Sequence, residues 1–156
     1  MTWTAQEWMD AYGESHQNPV NKTIHWIAVP TIFTTVVGLL WAIPVPGFMA
    51  GIPGLNWATL AMALTALWYL RLSRTLALGM ILFMVADVVL VAWYDSLNHW
   101  PVWQMSLVLF VVMWILQFIG HAVEGKRPSF FKDLQFLLIG PAWLMHFIYR
   151  KLGIPL

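Results

Sequence analysis

The chain has 156 residues, of which 60% are hydrophobic and 10% charged, and its mean hydropathy is +0.71. Soluble domains carry roughly 25% charged residues, so this composition excludes an ordinary soluble domain and points to a single small membrane domain over residues 1–156. A net charge of +1 gives no basis for nucleic-acid binding, and the lack of cysteine removes disulfides, iron–sulfur clusters, thiolate metal sites and cysteine nucleophiles.

Residues 2–15 read as a short amphipathic helix at the membrane surface, with Trp3 and Trp8 on a polar background. Glu7, Asp10 and Glu14 precede the first lysine, Lys22, which reverses the layout of a signal peptide, so no cleaved leader is expected. At Asn18-Pro19 the chain breaks and restarts, because Asn caps helices well and Pro is tolerated at the first helical position.

Four spans are predicted, over residues 24–43, 57–72, 75–94 and 102–123. The first has no formal charge and is long enough to cross a hydrocarbon core of about 30 Å. Residues 44–56 form a turn-rich loop on the far side, Arg71, Ser73 and Arg74 a tight basic turn, and residues 95–101 a second outer connector. The last apolar segment, residues 134–149, is interrupted by Gly140-Pro141 and is predicted to re-enter or lie at the interface. Eleven tryptophans suit helix ends in the headgroup region. The expected fold is therefore an all-α polytopic bundle.

Lysine and arginine placement sets the orientation. With the N-terminus cytoplasmic, Lys22, Arg71, Arg74, Lys126, Arg127 and Lys132 share one face. Arg150 and Lys151 join them if the final segment turns back at Gly140-Pro141. That topology brings four of the five histidines, His16, His25, His121 and His146, to cytoplasmic depth and leaves His99 on the opposite side.

Imidazole is the commonest neutral metal ligand. In HQNPVNKTIH (residues 16–25) the helix break lets His16 and His25 converge, which a continuous helix would prevent. Asn21, one turn before His25, shares its face and could orient it. In QFIGHAVEGKRPS (residues 117–129), His121 and Glu124 are three apart and face the same way, and Gly120 permits close approach of a helix or ligand. Lys126 and Arg127, just beyond, could hold a carboxylate or phosphate headgroup. The plainer accounts stand beside these: interfacial histidines, a solvated glutamate and cations that mark the membrane boundary. Asp87, near the middle of the third span, is costly there. It lies far from the histidines and reads as structural, hydrogen-bonded to Tyr69 or a tryptophan.

The segments YGESHQNPVNKTIHWIAVP (residues 12–30) and QFIGHAVEGKRPSFFKDLQFLLIGP (residues 117–141) resemble the membrane 2-hydroxy fatty acid dioxygenase family, fungal α-oxidation enzymes and their bacterial relatives. The likeness extends to span order and the trailing Gly-Pro segment, while residues 44–115 match only in hydrophobicity. It implies Fe(II)-dependent shortening of a 2-hydroxy fatty acid by one carbon with O2, in a bacterial inner membrane or the endoplasmic reticulum. The matching positions are His16, His25 and His121, as catalytic metal ligands. From the residues themselves, His146 is a further candidate ligand, Asn21 and Glu124 are candidate supports, and Lys126 and Arg127 are candidate substrate contacts. Two other readings stay open from the residues themselves. One is a b-type haem protein using His25 and His121. The other is a non-catalytic membrane protein, such as a scaffold or transporter component. A desaturase-like di-iron centre is disfavoured, since carboxylates near the site are too few.

Overall fold

A computed structural model describes residues 3–125 and 136–156. Among these residues there are seven helices and no strand: α1 (Ala5–Gly13), α2 (Pro19–Trp41), α3 (Gly47–Ala50), α4 (Trp57–Leu72), α5 (Arg74–Ser96), α6 (Val102–Glu124) and α7 (Ile139–Leu152).

Local chemistry sets most of the boundaries. Thr4 and Glu7 form a reciprocal capping box at the start of α1, which buries Ala5, Met9 and Tyr12 on one face. Asn18 caps α2 as predicted, its side-chain oxygen accepting from the Val20 and Asn21 N–H groups, with Pro19 at the first position. Ser73 alone separates α4 from α5. Its N–H closes α4 on the Tyr69 carbonyl at 2.9 Å, and its hydroxyl accepts the Leu76 N–H at 3.2 Å. Gly125 ends α6 in the left-handed region at φ 76°, where glycine has no Cβ to clash. The short helix α3, within the predicted outer loop, was not expected from the turn-rich sequence.

Helices α2, α5 and α6, each of 23 residues, are long and apolar enough to cross a membrane. Helix α4, with 16 residues, reaches only about 24 Å at 1.5 Å per residue. It occupies the predicted second span but falls short of the hydrocarbon thickness. Helices α2 and α6 make the most extensive pairing, and small residues set their approach. A Cβ on Gly38 would lie 2.1 Å from the Ser106 hydroxyl, and one on Gly120 would lie 2.4 Å from the Asn21 side-chain oxygen. At the far end, the Trp41 indole donates to Asp95 at 3.2 Å and ties α2 to α5. His99 follows in the connector on that side.

The C-terminal segment differs from expectation in one respect. Gly140 and Pro141 do not turn the chain back; they lie in the first turn of one continuous helix, α7, where proline's missing N–H is no loss. Residues 134–135 of the predicted segment lie outside the described ones. Both ends of α7 remain near the α4–α5 turn. The Tyr69 hydroxyl donates to the Leu138 carbonyl, and the Tyr149 hydroxyl donates to the Thr75 carbonyl at 2.6 Å while accepting the Gly79 N–H at 3.0 Å. Tyr69 is therefore engaged elsewhere, and the partner of buried Asp87 is the Thr34 hydroxyl rather than Tyr69 or a tryptophan.

Candidate metal centre

His16 lies in the segment between α1 and α2, His25 in the second turn of α2 and His121 in the last turn of α6. The helix break lets the first two meet as the sequence suggested: their ring centroids are 4.2 Å apart, edge to face. The His121 ring is 5.8 Å from His16 and 5.3 Å from His25. The three offer ligand nitrogens that all lie within 4.8 Å of one another. Their exposures of 3%, 1% and 3% place the cluster away from solvent.

Two backbone contacts decide which nitrogens face inward. His16 Nδ1 lies 2.6 Å from the Tyr12 carbonyl oxygen, and His25 Nδ1 lies 2.9 Å from that of Asn21. A carbonyl only accepts, so each Nδ1 carries a proton, and in the neutral ring Nε2 is then the ligand nitrogen. This is how metal-binding imidazoles are usually oriented by their surroundings. Three imidazoles clustered in a buried site could hold a divalent transition metal.

The supporting residues take other roles than their spacing implied. Asn21 orients His25 through its backbone carbonyl. Its side-chain amide, fully buried, donates instead to the Ser15 carbonyl at 3.1 Å and to Glu124 at 3.2 Å. Glu124 is not part of the imidazole group. Its carboxylate accepts the backbone N–H of Gln17 at 3.0 Å and of Asn18 at 2.7 Å, which fastens the helix break to the end of α6.

His146, on α7, also stands outside the group. It lines a cleft next to His16, and burial, aided by Arg150 and opposed by Asp10, holds its imidazole below the ordinary histidine range. Lys126 and Arg127 lie outside the described residues. Tyr12 and Trp143 were not anticipated. The Tyr12 ring stacks on His16 at 4.2 Å and 8°, and Trp143 flanks it at 5.6 Å. Tyr12 precedes His16 by one helical turn, a spacing that permits stacking. Nothing local in the sequence links Trp143 to His16.

The fold and the buried imidazoles thus define a helical membrane protein with a buried group of three histidines that could hold a metal ion. The family model described as 2-hydroxy-palmitic acid dioxygenase Mpo1-like matches residues 2–152, and the chain belongs to this Mpo1-like family. It is 29% identical over 140 residues to the 2-hydroxy-palmitic acid dioxygenase MPO1 of Saccharomyces cerevisiae, an alignment covering 88% of this chain and 75% of the yeast protein. No solved structure matches.

Proposed function

We propose that this protein is an Fe(II)-dependent dioxygenase that shortens 2-hydroxy fatty acids by one carbon. The observation that carries this reading is the convergence of His16, His25 and His121, whose ligand nitrogens lie within 4.8 Å of one another, with Nδ1 of His16 and of His25 turned to a backbone carbonyl. His16, His25 and His121 would hold the metal. His146, outside their group, is assigned to the adjoining cleft.

Iron bound there supplies the redox chemistry that lets O2 attack a 2-hydroxy acid. The atoms balance with one O2 if the shortened acid leaves together with carbon dioxide and water. The protein's part is positioning and exclusion. Tyr12 and Asn21 fix the imidazole tautomers through their carbonyls. Glu124 keeps the break between α1 and α2 closed over the site. Burial of all three rings keeps bulk water away from a reactive centre. Lys126 and Arg127, which follow α6 directly in sequence, are candidate contacts for the substrate carboxylate.

We place the site and the N-terminus on the cytoplasmic face, with α4 completing a four-span bundle. The lysines and arginines support this orientation, since the connectors at residues 42–56 and 97–101 contain none.

The test is metal content after anaerobic purification, followed by O2 consumption with 2-hydroxyhexadecanoate. About one iron per chain, lost in His25→Ala and His121→Ala, together with substrate-dependent O2 uptake, is the expected result. Wild-type protein that binds no metal, or that binds iron but consumes no O2 with any 2-hydroxy fatty acid, overturns the proposal.

A further inference from the structure

A cleft of about 560 Å³ opens beside the imidazoles, between α1, the first turns of α2 and α7, with His16 on its wall. Its two long walls have the same design. On α2, Lys22 and Trp26 are one helical turn apart and share a face. On α7, His146 and Arg150 are likewise one turn apart, with Phe147 beside them. The Trp26 and Phe147 rings meet edge to face at 5.6 Å, so the cations of each wall are joined by an aromatic contact between the walls. Both rings are part exposed, at 37% and 39%, as side chains at the edge of a lipid phase are expected to be.

The cleft also carries acids, Asp10 on α1 and Glu14 at its C-cap, but α1 contributes no aromatic side chain to it. Asp10 already accepts from the Gln6 amide at 2.8 Å. Among the described residues neither Lys22 nor Arg150 is joined to a carboxylate, and His146 Nδ1 is buried without a hydrogen bond. The positive groups are thus uncommitted, and they share helix faces with the aromatic pair.

We infer that this cleft is the port through which an anionic single-chain amphiphile reaches the imidazoles, its carboxylate held by Lys22 and Arg150 and its chain running past Trp26 and Phe147. This rests on the function proposed above and names, for that substrate, headgroup residues other than Lys126 and Arg127. Arginine can grip a carboxylate with two parallel hydrogen bonds, and a lysine on the facing wall adds a point charge. His146 contributes an uncommitted nitrogen to the same cleft.

The test uses the full chain, iron-loaded, in lipid nanodiscs under nitrogen, with radiolabelled 2-hydroxyhexadecanoate as probe and empty discs subtracted. Lys22→Gln combined with Arg150→Gln is expected to weaken binding about tenfold or more, since each lost charged contact is a sizeable fraction of a tenfold step in affinity. Metal content should stay at the wild-type level, and Lys22→Arg with Arg150→Lys should recover most of the affinity. Uncharged 1,2-hexadecanediol should bind wild type and the double variant alike. If the double variant loses metal, Arg150→Gln alone, at an exposed position, carries the comparison.

The inference is overturned if the variant with intact metal binds the acid as wild type does, if diol binding falls equally, or if only Lys126→Gln with Arg127→Gln weakens the acid. Wild type that consumes O2 with the acid while the Lys22/Arg150 variant binds it normally sinks the port and leaves the function standing. Wild type that binds no 2-hydroxy acid sinks both.

Discussion

The carboxylate of Glu124 accepts the backbone N–H of Asn18 at 2.7 Å across 106 residues of chain. Asn18 is also the cap of α2, so one residue both starts the helix that carries His25 and is fastened to the helix that carries His121. Together with the Gln17 and Asn21 contacts, this makes the position of His16 depend on a side chain in α6 that does not join the imidazole group.

Glu124→Gln should therefore weaken metal binding without abolishing it. The amide keeps one acceptor oxygen but turns an NH2 toward a backbone donor, and residues supporting metal ligands typically change affinity by about 10- to 100-fold. Glu124→Ala should do more, because three donors lose their acceptor. Competition with a chelator of known affinity measures both. Unchanged metal affinity in Glu124→Ala would show that the break is held without it.

Gly120 makes a sharper prediction. An added methyl would sit 2.4 Å from the Asn21 side-chain oxygen, and that amide cannot swing away freely because Ser15 and Glu124 hold it. Gly120→Ala should cost roughly 1–3 kcal/mol, the usual range for overpacking, and should reduce metal content. Asn21→Ala removes the obstructing atoms, so the double variant should be less destabilised than the two single costs added. A thermal-shift double-mutant cycle reads this coupling, and strict additivity would refute the contact.

The histidines separate by role. His16→Ala should lose metal, whereas His146→Ala should retain it, because His146 lies outside the group whose nitrogens converge. Any effect of His146→Ala should fall on substrate affinity instead. Equal metal loss in both variants would mean that four imidazoles share the ion.

Sequence patterning finds the long helices and expects His16, His25, His121 and His146 at one depth; the structure brings the first three together and sets His146 apart. An apolar run must be helical to satisfy its backbone in lipid, and depth along such a run can be counted from its ends. Asn18-Pro19 announced the break because cap chemistry is local. What depth cannot supply is rotation about each helix axis. Depth alone therefore suggests Tyr69 as a neighbour for Asp87, whereas Tyr69 bonds to Leu138 and Thr34 to Asp87. Carbonyl contacts such as those of Tyr12 and Asn21 to the histidines escape notice because every residue carries the same acceptor. Pro141 signalled a boundary correctly, but the same residue suits both a break within a helix and the start of one.

Asp87 tests the structural reading of the third predicted span. It is 4% exposed within α5, and its side-chain contact to Thr34 joins α5 to α2. An ionisable side chain at that depth is expensive, so Asp87→Asn, which keeps an oxygen for the hydroxyl, should leave thermal stability and metal content close to wild type. In Asp87→Leu the Thr34 hydroxyl still donates to the Pro30 carbonyl at 3.0 Å, so the variant should lose only one net hydrogen bond, about 0.5–1.5 kcal/mol. If Asp87→Asn instead abolished O2 consumption while the protein kept its iron and its melting temperature, the carboxylate would have a role in turnover.

Tyr149 holds the end of α7 by an unusual contact. Its hydroxyl lies between the Thr75 carbonyl and the Gly79 N–H, two groups one turn apart in α5, donating to the first and accepting from the second. A methyl on Gly79 would come within 2.5 Å of that oxygen, so the glycine is what admits the ring. Tyr149→Phe should cost about 1–2 kcal/mol, the range for a buried hydrogen-bonding hydroxyl. Because α7 also carries Trp143 against His16, the same variant should speed proteolysis or hydrogen exchange within residues 139–152 before it affects α2 and α6. Gly79→Ala should loosen α7 in the same way, by steric exclusion. Exchange in α7 that stays at the wild-type rate in both variants would mean that the helix is held by its apolar contacts alone.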